Sequence, residues 1–377
     1  MTIMSETASS KLGLKFRQAT FDDYDEIALL ATRYRLEPET REDWVHLWAN
    51  NPVYHQLPNW PIGWVFENED KRIVGYIGNV PLLYEMGGQR LTVAASRGFV
   101  VDIPYRSYSL SLLNQFFKQK AVDLFLSTTV NPEACKPHEA FHALRVPVGT
   151  WNEAAFWITN YRDFSACVMA KNEFRATRWL SDPLSVGLWL RDGMERRFWK
   201  TKGDGVEVSF CNHFDDRYED FWQQLRHNFP RRLLANRSRE TLEWHFKRPV
   251  ENAKAWVLTV DKGSALAAYA IFLRRDNSAL SLKRMRLVDF QVLGGNTELL
   301  RALICHALAR CRREGIHMLE CIGLAPDKQR VIDTLAPHRR KLSSWRYFYK
   351  ATNRQMAQTL EDPGVWDPSC FDGDASL

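Results

Sequence analysis

The chain has 377 residues, a formal net charge of +6, 45% hydrophobic residues and 25% charged residues. That length is too great for one compact core and suits two domains of ordinary size. The charge is mild and no block of five or six like charges occurs, which excludes a nucleic-acid-binding tail, and no apolar run approaches the roughly 20 residues that span a bilayer.

The first residues, MTIMSETASS, lack a basic segment followed by an apolar one, so 1–12 reads as a disordered lead rather than a signal peptide. LKFRQA (14–19) alternates like an edge strand. DDYDEIALLATRYR follows with apolar Ile27, Leu30 and Ala31 at helical spacing. A second helix covers 40–48, with Thr40 and Asp43 spaced as a cap. GWVFEN, RIVGYIGNVPLLYEMGG and QRLTVAASRGFVVDI then predict three antiparallel strands joined by short turns. A helix (109–119), a strand (122–129), a helix near 137–144 and a strand (150–158) complete a first unit, 13–160.

The segment 161–205 reads as a linker carrying an amphipathic helix. Leu180, Leu184 and Leu188 share one face, and Leu190, Met194 and Phe198 share another. Packing between two domains is the reading taken. A membrane-surface helix, suggested by Trp189, Arg196, Arg197 and Trp199, is the alternative.

From Val206 the order recurs. VEVSFCNHFDD is a strand, and RYEDFWQQLRHNF and RSRETLEWHFKRP are helices. AKAWVLTVDKG, ALAAYAIFLRRD and LKRMRLVDFQVL are strands, and TELLRALICHALARCRREG is a long helix stopping at Gly315. HMLECIG, DKQRVIDTLAP and SWRYFYKATN finish a second unit, 206–355, followed by a tail, 356–377. Both units read β-α-α-β-β-β-α-β-α-β, which is the signature of a diverged duplication. The seven Cys are scattered and form no CxxC pair, so no disulfide framework or structural zinc site is expected, and the chain suits a reducing cytoplasm.

One junction carries chemistry. VVDIPYRSYSLSLL puts a turn of small residues between the fourth strand and a helix, and VDLFLSTTVNPEA ends the next strand on Asn131. A helix start has unpaired N–H donors and the positive end of the dipole, so it accepts an anion. These residues, in this order of elements, resemble the GNAT acyltransferase superfamily, with fold class α/β (α+β): two tandem domains, each a mixed, mainly antiparallel sheet flanked by helices. In that family a Q/R-x-x-G-x-G/A loop holds the coenzyme A pyrophosphate. Here Arg106, Ser107, Tyr108, Ser109, Leu110 and Ser111 occupy it, with Ser in place of both Gly. The resemblance implies acyl-coenzyme A as donor and no metal. It also implies a thioester-holding main-chain donor near Val100 and Val101.

In the family an Asn-x-x-Ala opening leads to a Tyr that protonates the departing thiolate. The matching positions are Asn131 and His138, and imidazole can give a proton near neutral pH. Glu85, near the end of the third strand, and Asp102, after the fourth, are the candidate bases. In the second unit RLVDFQVLGGNTELL reads as a turn feeding a helix capped by Asn296 and Thr297, without a coenzyme A loop. Arg237, Trp244 and His245 fall where family members contact the acceptor.

The implied activity is acyl transfer to a small-molecule amine. VWDPSCFDGDASL, QKAVDLFLSTTVN and FWITNYRDF are similar to GNAT proteins of bacterial exopolysaccharide gene clusters, which suggests an amino-sugar acceptor. Two alternatives stand beside it. One is a Fem-type aminoacyl transferase, the only reading that brings in tRNA. The other is a GNAT-derived binding module that has lost catalysis. Nothing in the sequence bears on oligomeric state.

Overall fold

The computed structural model describes residues 13–171, 185–187, 189–190 and 205–377. The first half opens with strand β1 (Lys15–Gln18) and helices Tyr24–Arg33 and Arg41–Ala49. Thr40 caps the second helix by accepting from the Asp43 N–H, as the spacing predicts. Strands β2 (Gly63–Glu67), β3 (Ile73–Met86) and β4 (Gln89–Val101) form an antiparallel meander. Helix Ser109–Phe117 returns the chain so that β5 (Leu124–Val130) lies parallel to β4, a connection that needs such a crossover. Helix Pro132–Ala140, β6 (Leu144–Arg145), β7 (Glu153–Ile158) and helix Tyr161–Lys171 follow.

The second half repeats the plan. Strand β8 (Ser209–Cys211), helix Asp216–Asn228, β9 (Leu234–Ala235) and helix Arg239–Glu251 lead to β10 (Ala255–Lys262), β11 (Ala265–Arg274) and β12 (Arg284–Val292). Helix Leu299–Arg313 crosses to β13 (Met318–Ile322), parallel to β12. Helix Pro326–Leu335, β14 (His338–Lys341), β15 (Arg346–Ala351) and helix Arg354–Thr359 complete it.

The first sheet runs β1-β2-β3-β4-β5-β15-β6, with β9 beside β3, and the second runs β14-β7-β13-β12-β11-β10-β8. Both are mixed and mainly antiparallel with helices packed on them, the fold class expected. Their composition differs from expectation in one respect. The sequence reading has 150–158 closing the first unit and 344–353 closing the second. Instead β7 pairs with β13, Met318 opposite Ile158, and β15 pairs with β5, Phe348 opposite Ser127. Each half therefore supplies the strand that follows the other half's parallel pair. Ala155 and Trp157 pack into the second core and Phe348 into the first. Alternation of apolar residues marks a strand, but it does not name the sheet that receives it.

A third apolar cluster joins the halves. It takes Trp44, Trp48 and Tyr84 from the first, Phe221, Trp244 and Tyr269 from the second, and Trp366 and Phe371 from the tail. From Val365 on, the polar-looking tail is thus largely buried against this cluster. The amphipathic reading over 180–198 lies outside the described residues, apart from five positions that include the exposed Trp189 and Leu190. Among the described residues no helix is long and apolar enough to cross a membrane.

Candidate functional site

Strands β4 and β5 pair only from Val93↔Leu124 to Ala95↔Leu126. Beyond that point β4 continues along β3 to Val101, and β5 continues along β15 to Val130. The two strands diverge into a wedge, and each presents one backbone edge with no strand partner. At the apex the Ser96 and Ser127 hydroxyls share a hydrogen bond of 2.7 Å. A bulge bends β4 just past the apex, because Gly78 opposes Arg97 while Tyr76 opposes Val100. Gly98 sits in this bulge at φ 66°, and a Cβ there would lie 3.3 Å from the Tyr76 ring. Glycine suits both demands.

Side chains alternate across the wedge. Ser96, Phe99 and Ser127 face outward, toward helices Ser109–Phe117 and Pro132–Ala140. His138 joins them there, buried, with Nε2 3.2 Å from the Ser127 hydroxyl and Nδ1 2.8 Å from the Ala134 carbonyl. Its ring lies 5.4 Å from that of Phe348, with Phe99 and Phe117 at the sides. Burial lowers its pKa, so the imidazole is held neutral. His138 is a residue of the outer core, with both ring nitrogens engaged inside the protein.

Arg97 and Thr128 point the other way, toward the second half. Thr128 donates to the Asp374 carboxylate, Thr129 lies 3.5 Å from its second oxygen, and Arg97 donates to the Asp374 main-chain oxygen at 3.3 Å. Burial raises the pKa of half-buried Asp374. Gly373, at φ 55°, lets the tail come this close, since a Cβ there would lie 2.5 Å from the Thr128 methyl. The sequence reading missed Arg97, Thr128 and Asp374. The run of small polar residues STT at the end of β5 is the one local signal for them.

The other sequence-derived residues scatter. Ile103–Tyr108 is a 3-10 helix that runs directly into helix Ser109–Phe117. Its main-chain donors are partly engaged: Ile103 N–H bonds the Tyr34 hydroxyl, Tyr105 N–H the Asp102 carbonyl, and Ser109 N–H the Arg106 carbonyl. No residue from 102 to 117 has positive φ, so the serines stand where the backbone does not need glycine. Arg106 and Ser107 are exposed, Tyr108, Ser109 and Ser111 are half-buried, and Leu110 is exposed. Val100 and Val101 lie past the bulge, paired to Tyr76 and Gly75.

Asn131 caps helix Pro132–Ala140 by accepting from the Ala134 N–H at 2.9 Å. Asp102 is buried against Arg33. Glu85 is buried in an ion pair with Arg226 at 3.0 Å. It opposes Arg90, whereas Asn79 opposes Ser96 at the apex, so about six residues, or roughly 20 Å of strand, separate it from the wedge. One base candidate is thus remote and the other already paired.

A cleft of about 600 Å³ opens between the halves. The first half contributes Glu37, Glu39, Glu42 and Asp43, and the second Arg248, Lys254, Arg274 and Arg275, over a floor that includes Leu47 and Trp244. Arg97 links this cleft to the wedge, because its guanidinium also pairs with Glu39. The Arg237, Trp244 and His245 set divides here. Trp244 and His245 line the cleft. Trp244 is 6% exposed, and its Nε1 donates to the His46 carbonyl at 3.2 Å. His245 stacks on Phe246 and Phe371 and bonds the Ser376 hydroxyl at 3.0 Å; burial drives its pKa down to about 3. Arg237 is fully buried, held by Asp289 at 2.8 and 3.0 Å. Charge complementarity across 52 positions claims it for the core.

The second half has its own wedge. Strands β12 and β13 pair from Arg284↔Met318 to Leu287↔Cys321 and then part. This opening is filled. Buried Lys328 donates to the Phe290 carbonyl at 2.9 Å and pairs with Asp367 of the tail at 2.8 Å. Asp289 binds Arg237, Tyr269 and Ser369. The helix that follows β12 starts at Leu299, later than expected, with Glu298 at its N-cap and no side-chain cap bond. Gly294 and Gly295, both at positive φ, turn the chain first, so Asn296 and Thr297 belong to that turn rather than capping the helix.

No family model matches the chain, and no curated protein matches its sequence. Solved structures do match its shape. An N-myristoyltransferase from Saccharomyces cerevisiae, bound to myristoyl-CoA and inhibitors, aligns at a TM-score of 0.57 and 13% identity, over 90% of this chain and 81% of its own. A GCN5-related N-acetyltransferase from Anabaena variabilis aligns at 0.53 and 11% identity, over 90% of this chain and 73% of its own. One from Kribbella flavida aligns at 0.53 and 13% identity, over 90% and 71%. At these identities the likeness concerns the fold: two GNAT-like α+β units in tandem.

Proposed function

We propose that the chain is an N-acyltransferase that moves an acyl group, acetyl in the simplest case, from acyl-coenzyme A to an amine. The donor lies along the first wedge and the acceptor enters from the cleft between the halves. The observation that carries this reading is the asymmetry of the two wedges. The first keeps the β4 edge over 96–101 without a strand partner, with the Thr128 carbonyl on β5 taken by the Trp151 indole at 2.8 Å and Asp374 of the tail set between the strands, while Lys328 and Asp367 fill the second. The β4 edge suits an extended, amide-bearing chain, which it binds as a strand binds its neighbour. Exposed Arg106 beside the helix start suits the phosphates by charge alone, since no glycine cradle is present.

The chemistry needs no covalent enzyme intermediate. A neutral amine attacks the thioester carbon, and the C–S bond breaks as the thiolate leaves. The protein positions the reactants, and a main-chain N–H on the open edge of β4 stabilises the developing oxyanion. Asp374 takes the proton from the attacking amine. It bridges the wedge between Thr128 and Arg97, and burial tunes it toward a working base. The acceptor that the sequence resemblance suggests is an amino sugar of a surface polysaccharide.

The test is calorimetry of the full chain with acetyl-coenzyme A, followed by steady-state kinetics. A ligand at 100 times its Kd should stabilise the protein by about 2.7 kcal/mol. Asp374→Asn should slow turnover roughly 100-fold while donor affinity stays the same. If no acyl-coenzyme A binds at millimolar concentration, the enzyme reading gives way to that of a binding module.

A further inference from the structure

One side chain touches the arms of both wedges. Residues 146–152 carry the chain from β6 in the first sheet to β7 in the second, and Trp151, only 4% exposed, stands in that crossing. On one side it meets the first wedge. Its Nε1–H donates to the Thr128 carbonyl at 2.8 Å, and its ring lies 4.7 Å from that of Tyr347 on β15. On the other side it meets the continuation of β13 past the apex of the second wedge. A Cβ on Gly323, which has φ 66°, would lie 2.6 Å from the indole Cε3 and 2.9 Å from the Trp151 carbonyl oxygen, so glycine alone lets this arm come so close. The neighbours of Trp151 fasten the arm in place. The Thr150 hydroxyl donates to the Leu324 carbonyl at 2.8 Å, and the Gly323 N–H donates to the Glu153 carbonyl at 3.2 Å.

Thr128 hands this placement on to the tail. It is fully buried, with the indole N–H on its carbonyl, its own hydroxyl on the Asp374 carboxylate and its methyl against Gly373. The three contacts belong to one residue, so the backbone position that the indole sets is also the one from which the hydroxyl reaches Asp374. A buried carbonyl that loses its donor turns toward another one or admits water. The other groups that face Asp374 are Arg97 from β4, Thr129 from β5 and Tyr347 from β15. Glu39 is held on Arg97, and Asp372 is turned to the Tyr84 hydroxyl and the Ser369 N–H. Burial raises the pKa of Asp374, while Arg97 and the Thr128 hydroxyl lower it. Loosening that hydroxyl therefore moves it further up.

We propose that Trp151 is a positioning residue for Asp374. Through the Thr128 carbonyl it fixes the hydroxyl that holds the carboxylate, and through Gly323 it makes that setting depend on the second half. The role of Asp374 as base rests on the acyltransferase reading. The chain of contacts does not, and Asp374 can be titrated with no substrate present.

The test is a pH titration of the full chain, without any acyl-coenzyme A, followed by the infrared band of the protonated carboxyl group and assigned by its loss in Asp374→Asn. Position 151 is changed in two ways. Trp151→Phe removes the N–H and part of the ring. Incorporation of 3-benzothienylalanine keeps the bicyclic shape and removes only the N–H, so packing against Tyr347 and Gly323 survives. Both should move the Asp374 midpoint up by about one pH unit, a tenfold change in proton affinity. Gly323→Ala, which drives a methyl into the indole from the second half, should move it the same way. Kinetics then read the same displacement: the acid limb of kcat moves up by about one unit while the donor KM stays the same. An indole that serves packing alone would lower the Tm and leave the midpoint in place. An unmoved midpoint in the benzothienyl protein overturns the proposal, and an unmoved one in Gly323→Ala overturns the dependence on the second half. If the wild-type chain transfers no acyl group, the transferase reading fails while the titration still decides on Trp151. A shifted midpoint with an unmoved pH–rate profile upholds the positioning and removes Asp374 as the base.

Discussion

The two wedges are one topological device used in opposite ways. In each half a short parallel pairing, β4 with β5 and β12 with β13, ends after a few residues and the strands part. The first opening has hydroxyls at its apex and a β4 edge without a strand partner. The second is closed by Lys328, Asp367 and the buried Arg237–Asp289 pair. A filled wedge gives up a ligand site and gains an anchor for the tail, which in turn reaches across to the first wedge through Asp374. One half therefore sets the geometry in which the other is proposed to work.

The largest effect expected is on the anchor. Asp289 is fully buried, and the Arg237 guanidinium beside it, with Lys328 nearby, holds its carboxyl ionised against the cost of burial. Arg237→Ala leaves that charge without its partner and should cost about 3–5 kcal/mol. The loss would be read as a lower urea midpoint, with the tail more open to hydrogen exchange. A change below about 1 kcal/mol would mean that the pair does not anchor the tail.

Next comes the plug. Lys328→Met removes the cation from the second wedge and leaves Asp367 with Arg232 at 3.8 Å. The loss should be about 2–4 kcal/mol, at or below the usual cost of breaking a buried pair. If the wedges differ only by this filling, the variant should bind a second equivalent of acyl-coenzyme A in calorimetry. A stoichiometry of one would show that the second half lacks more than space.

Much of this comparison was legible in the sequence. The order of elements, the antiparallel meanders and the Thr40 cap follow from periodicity, turn residues and capping residues. The exchange of β7 and β15 was not legible, because AAFWI and RYFYKA read as strands whichever sheet receives them. The tail was not legible for a different reason. DPSCFDGDASL looks polar and turn-rich, and its burial depends on partners such as Tyr84 and Thr128, more than 200 positions away. Site residues drawn from local motifs (Asn131, Asp102, Glu85) proved to be a cap and two ion-pair members. The residues that join wedge to cleft came instead from contacts between halves.

Two buried groups, His245 packed on the tail and Asp372 within it, should respond to pH in opposite senses. His245, lowered to about 3 in the folded protein, stays neutral where the unfolded chain protonates it. Its share of stability is present above its ordinary pKa of about 6.5 and is lost as pH falls. Burial raises Asp372 to about 6 even though Tyr84 donates to it at 2.9 Å. Its share is present below about 4 and is lost as pH rises through 6. Between pH 4 and 6 the two slopes, each about 1.4 kcal/mol per pH unit at most, nearly cancel. His245→Phe should therefore give a Tm that falls as pH rises across this window, and Asp372→Asn one that rises. If both variants keep the wild-type slope, neither group is held as the structure indicates.

The smallest effect concerns the two faces of the first wedge. His138 stands on the outer face, while Arg97, Asp374 and the cleft stand on the inner one. A proton delivered to the thiolate by His138 would have to come from a neutral ring whose Nδ1 is bound to Ala134 and whose Nε2 meets Ser127. Burial lowers its pKa further from the protonated form. His138→Phe keeps an aromatic ring against Phe348 and loses two hydrogen bonds, so it should cost about 1–3 kcal/mol of stability. Turnover should stay within about threefold, and the pH–rate profile should not move. The measurement is kcat and donor KM across neutral to mildly alkaline pH, taken well below the melting temperature of the variant. If turnover instead slows roughly 100-fold or more with donor KM unchanged, the proton donor stands on the outer face. The chemistry would then run through the helix side of the wedge, and the cleft between the halves would lose its role as the acceptor's entrance.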